Sequence, residues 1–227
     1  MYGYNGPHYP HYPPIMPVPY PLHPSPFQPM QAPISTHFAP FGVGASPIAI
    51  NGQGVNVTRT IPDSTAQWVI NEAKAALRDV QTLDLARHLV ADVVEEHTDP
   101  SVARYSEMMA IHDFVSTRVR YTSDPFGIEL VYGAKAIIDR IMRVGKFAED
   151  CDGFTVLSLA LLLSIGHVCQ VLLVGYTNIQ GWQHIFVQDF MPSFGWVTFD
   201  PSMKQNVRDV LASVDKVKAF PVNAHLD

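Results

Sequence analysis

The segment from Cys151 to Ile165 constrains this chain more than any other. It reads CDGFTVLSLALLLSI, with apolar side chains at Phe154, Val156, Leu157, Leu159, Ala160, Leu161, Leu162 and Leu163. It contains no proline and is closed by Gly166, which predicts a helix with a glycine stop. A helix that is apolar on every side has no face to offer to water. The rest of a domain must wrap it, so the fold is built around a central buried helix. Ser158 and Ser164 interrupt the run, and no stretch of the chain is long and apolar enough to span a bilayer.

Downstream of Gly166 the pattern changes from helical to extended. Val168 to Tyr176 reads as a strand. Trp182 to Phe190 and Trp196 to Asp200 read as two more, joined by the turn Met191-Pro192-Ser193-Phe194-Gly195. Upstream the pattern is helical. Ser64 and Gln67, after Pro62-Asp63, have capping-box spacing. Trp68, Ala75, Val80, Leu83, Leu85, Leu89 and Val93 then supply apolar positions for one long helix or two short ones, ending near His97. Asp99-Pro100-Ser101 starts another helix, with Val102, Tyr105, Met108, Met109, His112 and Val115 as its expected apolar face. Arg118 to Tyr121 exits into a short extended piece, and Asp124-Pro125-Phe126-Gly127 is turn chemistry. Ala134 to Arg143 is a short helix stopped by Gly145. A central helix, an antiparallel sheet after it and helices before it make the class α+β.

The beginning of the chain has a different composition. Residues 1–58 hold no Asp, Glu, Lys or Arg; the first charge is Arg59. Thirteen of the 19 prolines precede residue 50, and five of the nine tyrosines precede residue 21. That density of proline forbids regular helix or central strand and favours extended polyproline segments. The high net charge usual for soluble disorder is missing. Two readings follow: a low-complexity tail, or an extended arm whose aromatic residues anchor in a protein partner of a larger assembly. Residues 42–57 read as a Gly-rich linker with a short strand. The expected division is an arm and linker over 1–58, a helical segment over 59–104, and a domain over 105–227.

Other features set exclusions. A net charge of −6 argues against binding nucleic acid through bulk charge. No basic residue precedes an apolar segment near Met1, so no secretory signal is read and the expected location is the cytoplasm. Cys151 and Cys169 stand at opposite ends of a helix about 22 Å long, whereas a disulfide needs Cα atoms within about 7 Å. Both thiols are expected free, as in a reducing compartment. His8 and His11 lack a second pair of strong metal ligands, and phosphate-binding glycine patterns are absent, so neither metal nor cofactor is expected.

A thiol nucleophile needs thiolate character, a base, and a group that orients the base. Cys151 opens a helix, whose positive end favours thiolate. His184 lies on a strand with Trp182 and Phe186 on the same face and is the candidate base. His184 and Asp200 have residue 192 as their midpoint, so a symmetric hairpin would set them opposite one another, with Cβ atoms about 5 Å apart. A carboxylate there would fix the imidazole tautomer, and a slip in register would break the arrangement. Taken singly, a cysteine beside an apolar run is usually a small core residue. A lone strand histidine is usually structural, and Asp before Pro is usually a turn residue. In the order Cys on helix, His on strand, Asp on the paired strand, the three point to a thiol site. Glu149, Asp150 and Asp152 flank the thiol, and their charge opposes the helix dipole. Cys169, among Val168, Val171 and Leu172, reads as core, and His112 as a buried, hydrogen-bonded histidine.

These blocks carry a family resemblance. Glu149-Asp150-Cys151-Asp152-Gly153 with its apolar helix and Gly166-His167-Val168 resembles the nucleophile segment of the transglutaminase-like superfamily. Gln183-His184-Ile185-Phe186-Val187 resembles its histidine strand, and Gly195-Trp196-Val197-Thr198-Phe199-Asp200-Pro201-Ser202 its aspartate strand. The likeness covers about residues 105–203, including Arg120-Tyr121 with Asp124-Pro125. That upstream piece, with Gly127-Ile128-Glu129-Leu130-Val131, is similar to versions encoded in tailed-phage genomes. Gly153 departs from the pattern, because many relatives carry another acid there. The resemblance implies a papain-like fold and acyl transfer through a thioester on a protein or peptide-like substrate. Cys151 would attack, His184 would move the proton, and Asp200 would orient His184. The backbone N–H of Cys151 would bind the oxyanion, and Tyr121 is a second candidate donor whose other reading is a core aromatic. Some members are non-catalytic. The chain would then be a docking module in a structural assembly such as a phage virion.

Overall fold

The computed structural model describes residues 48–51, 61–93, 99–124, 128–176, 179–203 and 214–222. The expectations for the Pro/Tyr-rich arm, for His8 and His11, and for the turn at 125–127 fall outside these residues. In chain order the elements are β1 (Ile48–Asn51), α1 (Asp63–Ala76), α2 (Val80–Val90), α3 (Pro100–Arg118), β2 (Val119–Tyr121), β3 (Ile128–Val131), α4 (Ala134–Val144), β4 (Phe147–Glu149), α5 (Cys151–Ser164), β5 (Cys169–Tyr176), β6 (His184–Met191), β7 (Gly195–Phe199) and β8 (Val214–Val222). The protein mixes helices and strands in the α+β manner. An antiparallel sheet runs β7-β6-β5-β8, β2 pairs with β4 in parallel, and β1 pairs with β3.

The centre is α5. Every residue from Cys151 to Leu163 is buried, as an all-apolar helix requires. Helices α1 to α4 and strand β6 pack on it. One hydrophobic cluster joins Val69 and Ala73 of α1, Leu85 of α2, Ile111 of α3, Ile138 of α4 and Leu161 of α5 to Leu173 and Ile185 of the sheet. Each of the larger side chains contributes about 1.5–3 kcal/mol on leaving water. Gly166, at φ 83°, supplies the left-handed residue that turns the chain from α5 into β5, and its N–H donates to the Leu163 carbonyl. Gly145 does the same for α4. Among the described residues no helix is long and apolar enough to cross a membrane.

The stretch expected to hold one long helix or two short ones holds two. Asp79 separates them by capping α2, accepting from the Thr82 N–H at 3.0 Å and its hydroxyl at 2.9 Å. The Ser64–Gln67 capping box does not form. Helix α1 starts two residues earlier than a Ser64 cap would set it, at Asp63 behind Pro62, and makes no side-chain cap. The Asp63 carboxylate instead accepts from Trp182 Nε1 and Lys218 Nζ, each at 2.5 Å. Helix α3 is capped by Asp99 but is rotated from the expected face. Ser101, Met108, Ile111 and Val115 are buried, while Val102 and Tyr105 are exposed. Both stripes have helical spacing, and packing on α5 chose between them. Strand β8 was not expected: its one buried residue is Val222, so it carries little hydrophobic signal.

Candidate active site

The β6–β7 hairpin places the first two groups. Its ladder runs from Met191↔Gly195 to Val187↔Phe199, so it is centred on Ser193 rather than residue 192. Continued by one step, it sets Asp200 opposite Phe186, and the expected direct opposition of His184 and Asp200 does not occur. The offset in pairing is two residues, and side chains alternate with period two, so both remain on one face. The carboxylate reaches diagonally: His184 Nε2 and Asp200 Oδ2 are 2.6 Å apart. Asp200 Oδ1 accepts from the Ser202 hydroxyl at 2.6 Å and from its N–H at 3.2 Å. Both carboxylate oxygens are engaged, so the imidazole is held by a fixed partner. Because Asp200 takes Nε2, Nδ1 is the ring nitrogen left to a reacting group. Both residues are buried, and His184 lies 5.6 Å from the Phe186 ring.

The sheet has two packed faces. Val171, Leu173, Ile185 and Val187 belong to the main core with α5. Leu172, Val174 and Phe186 form a smaller cluster, with Tyr176 and Val214 packed against it. His184 pairs with Val174 across β5 and β6, so it belongs to this second face.

Cys151 is the first residue of α5 and is buried. Asp150 caps the helix, accepting from the Asp152 N–H at 3.2 Å. The Thr155 hydroxyl lies 2.6 Å from the Cys151 carbonyl and 3.0 Å from the Ile185 carbonyl. One hydroxyl thus ties the first turn of α5 to the residue after His184. Tyr176, on the face of His184, completes the picture. Burial pushes its phenol above its ordinary pKa, and the charges of Asp200, Cys151 and Tyr121 add to the shift. Tyr176 was not singled out in the sequence, because it ends an ordinary Val/Leu strand. Tyr121 is 50% exposed and 6.4 Å from the Phe154 ring, so it is not a core aromatic.

The acidic flank of Cys151 is organised. Glu149 is buried, and desolvation, then the charges of Asp150 and Asp124, raise its carboxyl to about 9. It is therefore neutral near pH 7 and does not oppose a thiolate. A Cβ at Gly153 would collide with the Glu149 carboxyl. Glu149 fills that space from outside the helix, so a larger residue at 153 would have no room. Asp124, read in sequence as a turn residue, joins Asp150 and Asp152: one oxygen of each lies within 4.8 Å of the others. Asp124 Oδ2 also accepts from the Leu130 N–H at 2.5 Å.

The remaining candidates fall elsewhere. Cys169 is core, and burial, helped by Asp189 and opposed by Arg104, pushes its thiol well above the ordinary range. His112 is half-buried rather than buried. It meets Phe199 edge-on at 5.7 Å, and its Nδ1 is 3.7 Å from Asp113, beyond hydrogen-bond range. The second buried histidine beside His184 is His167, not His112. His167 bridges two carboxylates, with Nδ1 on Asp189 and Nε2 3.0 Å from Glu107.

Comparison with known proteins adds little. No protein-family model matches the chain, and no curated protein matches it. A solved structure from Cytophaga hutchinsonii named "putative cysteine protease" is similar with a TM-score of 0.40 and 15% identity, covering 76% of this chain and 57% of that one. The chain thus spans a little over half the length of that neighbour.

Proposed function

We propose that the chain is a thiol-dependent hydrolase or acyltransferase of the transglutaminase-like kind, acting on peptide-like amides. Cys151 is the nucleophile, His184 the base, and Asp200 the residue that orients His184. The observation that carries this reading is the buried 2.6 Å contact between His184 Nε2 and Asp200 Oδ2, on the hairpin that Thr155 ties to the first turn of α5. Nδ1 takes the Cys151 proton, and the thiolate adds to the amide carbonyl. The oxyanion is met by the positive end of α5 and the Cys151 N–H, with Tyr121 as a second donor. The C–N bond breaks as His184 delivers its proton to the leaving amine, giving a thioester. Water or an acceptor amine, deprotonated by His184, then releases the acyl group and restores the thiol.

The test is selective alkylation. Iodoacetamide should label Cys151 much faster than Cys169, and Cys151→Ala should remove the fast phase. Equal, slow labelling of both thiols would defeat the reading.

A second reading is favoured by the Asp150 and Asp152 charges beside the thiol, which oppose a nucleophile. In it the domain is a non-catalytic docking module of a larger assembly, such as a phage particle, held to protein partners by residues 1–58. Deleting residues 1–50 would then abolish incorporation while leaving the domain folded. Unchanged incorporation would exclude it.

A further inference from the structure

We propose that the aromatic surface of the β6–β7 hairpin, formed by Phe190, Phe194 and Trp196, is a docking site for the uncharged, proline-rich N-terminal arm of a second copy of this chain. Phe190 and Trp196 face one another across the hairpin, with ring centroids 5.4 Å apart in an edge-to-face arrangement. Phe190 follows Phe186 by four residues, so its ring stands on the second face of the sheet, the one not turned to α5. The Phe190 N–H donates to the Val168 carbonyl at 2.8 Å, which carries the β5–β6 ladder one step further and sets Val168 beside the rings. Phe194 stands in the turn that joins the two strands.

All four side chains are exposed: Phe194 by 61%, Val168 by 51%, Trp196 by 43% and Phe190 by 37%. Large apolar side chains gathered in one patch leave water only when a partner covers them. The patch is not a loose loop. The Ser193 N–H donates to the Ser101 hydroxyl at 2.8 Å, and the Arg104 guanidinium donates to the Phe190 carbonyl at 3.4 Å and the Gly166 carbonyl at 2.9 Å. Helix α3 therefore holds the hairpin tip, and little conformational freedom remains to be lost on binding.

Charge chooses the occupant. Residues 190–199, FMPSFGWVTF, hold no charged side chain. An ion laid on such a surface loses water and finds no counter-ion there, whereas a neutral segment carries no such cost. One segment of this chain has that character. Residues 1–58 contain no Asp, Glu, Lys or Arg, and thirteen prolines precede residue 50. Proline-rich stretches dock on exposed aromatic rings because their extended backbone is set before binding. Length permits the second copy. Forty-seven residues precede β1, and extended polyproline of that length spans up to about 145 Å, against about 40 Å across a folded domain of the remaining size. Such docking needs the arm to act as an anchor, as in the second reading above, and does not depend on Cys151.

Sedimentation velocity of the full chain, from micromolar to hundreds of micromolar, should show self-association that grows with concentration. Trp196→Thr and Phe194→Ser should each weaken it at least tenfold, the loss of one aromatic anchor, with Tm unchanged. Phe194 lies in an exposed turn, so its variant keeps the test decisive if Trp196→Thr fails to fold. Met142→Ser removes an exposed apolar side chain from α4 and should leave association as it is. A synthetic peptide of residues 1–40, in excess, should dissolve the complexes of the full chain and shift its tryptophan emission, a shift that Trp196→Thr abolishes. A full chain that stays a single copy throughout overturns the docking site, as does association indifferent to both hairpin variants. If deleting residues 1–50 dissolves the complexes while the hairpin variants do not, the arm anchors elsewhere and this surface is not its site. If the deletion leaves them intact, the arm is no anchor and the second reading falls with the docking site.

Discussion

His184 Nε2 lies 2.6 Å from Asp200 Oδ2, although the two residues do not face one another across the hairpin. The ladder is displaced by two residues, and because the pleat repeats every two, the pair survives as a diagonal contact. The Ser202 hydroxyl and N–H hold the far oxygen of the carboxylate.

Asp200→Asn tests the orienting role. Asparagine keeps an oxygen for Ser202 but offers His184 an amide, which disturbs the tautomer. Amide turnover should fall by about 10²–10⁴-fold, and the fast alkylation phase of Cys151 should slow, with little change in Tm. An unchanged alkylation rate would remove Asp200 from the site.

Thr155→Val tests the tie between α5 and β6. The hydroxyl is buried between the Cys151 and Ile185 carbonyls. Valine matches its shape but strips these acceptors of the donor, so urea unfolding should show a loss of about 1–3 kcal/mol. Alkylation of Cys151 should also slow, because the first turn of α5 loses its anchor on β6.

Cys169 should stay silent to alkylation well into the alkaline range. Burial raises its thiol, which means less thiolate at any given pH. In a Cys151→Ala chain, iodoacetamide labelling followed by mass spectrometry should remain below the rate of an unfolded control through about pH 9, the region where an ordinary thiol at about 8.5 ionises. Stability runs the other way: a thiol that resists ionisation when folded makes the native state less favourable as pH rises past the unfolded thiol's value.

Gly153 and Glu149 should show coupled stability. Gly153→Ala gains helix propensity of about 1 kcal/mol but drives a methyl into the Glu149 carboxyl, and overpacking costs about 1–3 kcal/mol. Alone it should be destabilising. With Glu149→Ala in the background, the same substitution should become stabilising, a change of sign that denaturant titration reads directly. The same sign in both backgrounds would mean that the two side chains do not share that space.

Much of this protein was written locally. The all-apolar run from Phe154 to Leu163 dictated a buried helix, Gly145 and Gly166 dictated where helices stop, and the Met191–Gly195 turn dictated a hairpin. Each depends on residues a few positions apart, whose backbone preferences and periodicity are fixed by sterics and by the need to leave water. The tertiary structure decided the rest: the hairpin centre at Ser193, the face of α3 that is buried, the recruitment of β8, and the gathering of Asp124 with Asp150 and Asp152 at the start of α5. The hydrophobic effect is non-directional and scores apolar area without naming partners. Which distant segments meet, and in which register, is settled only when the whole core packs.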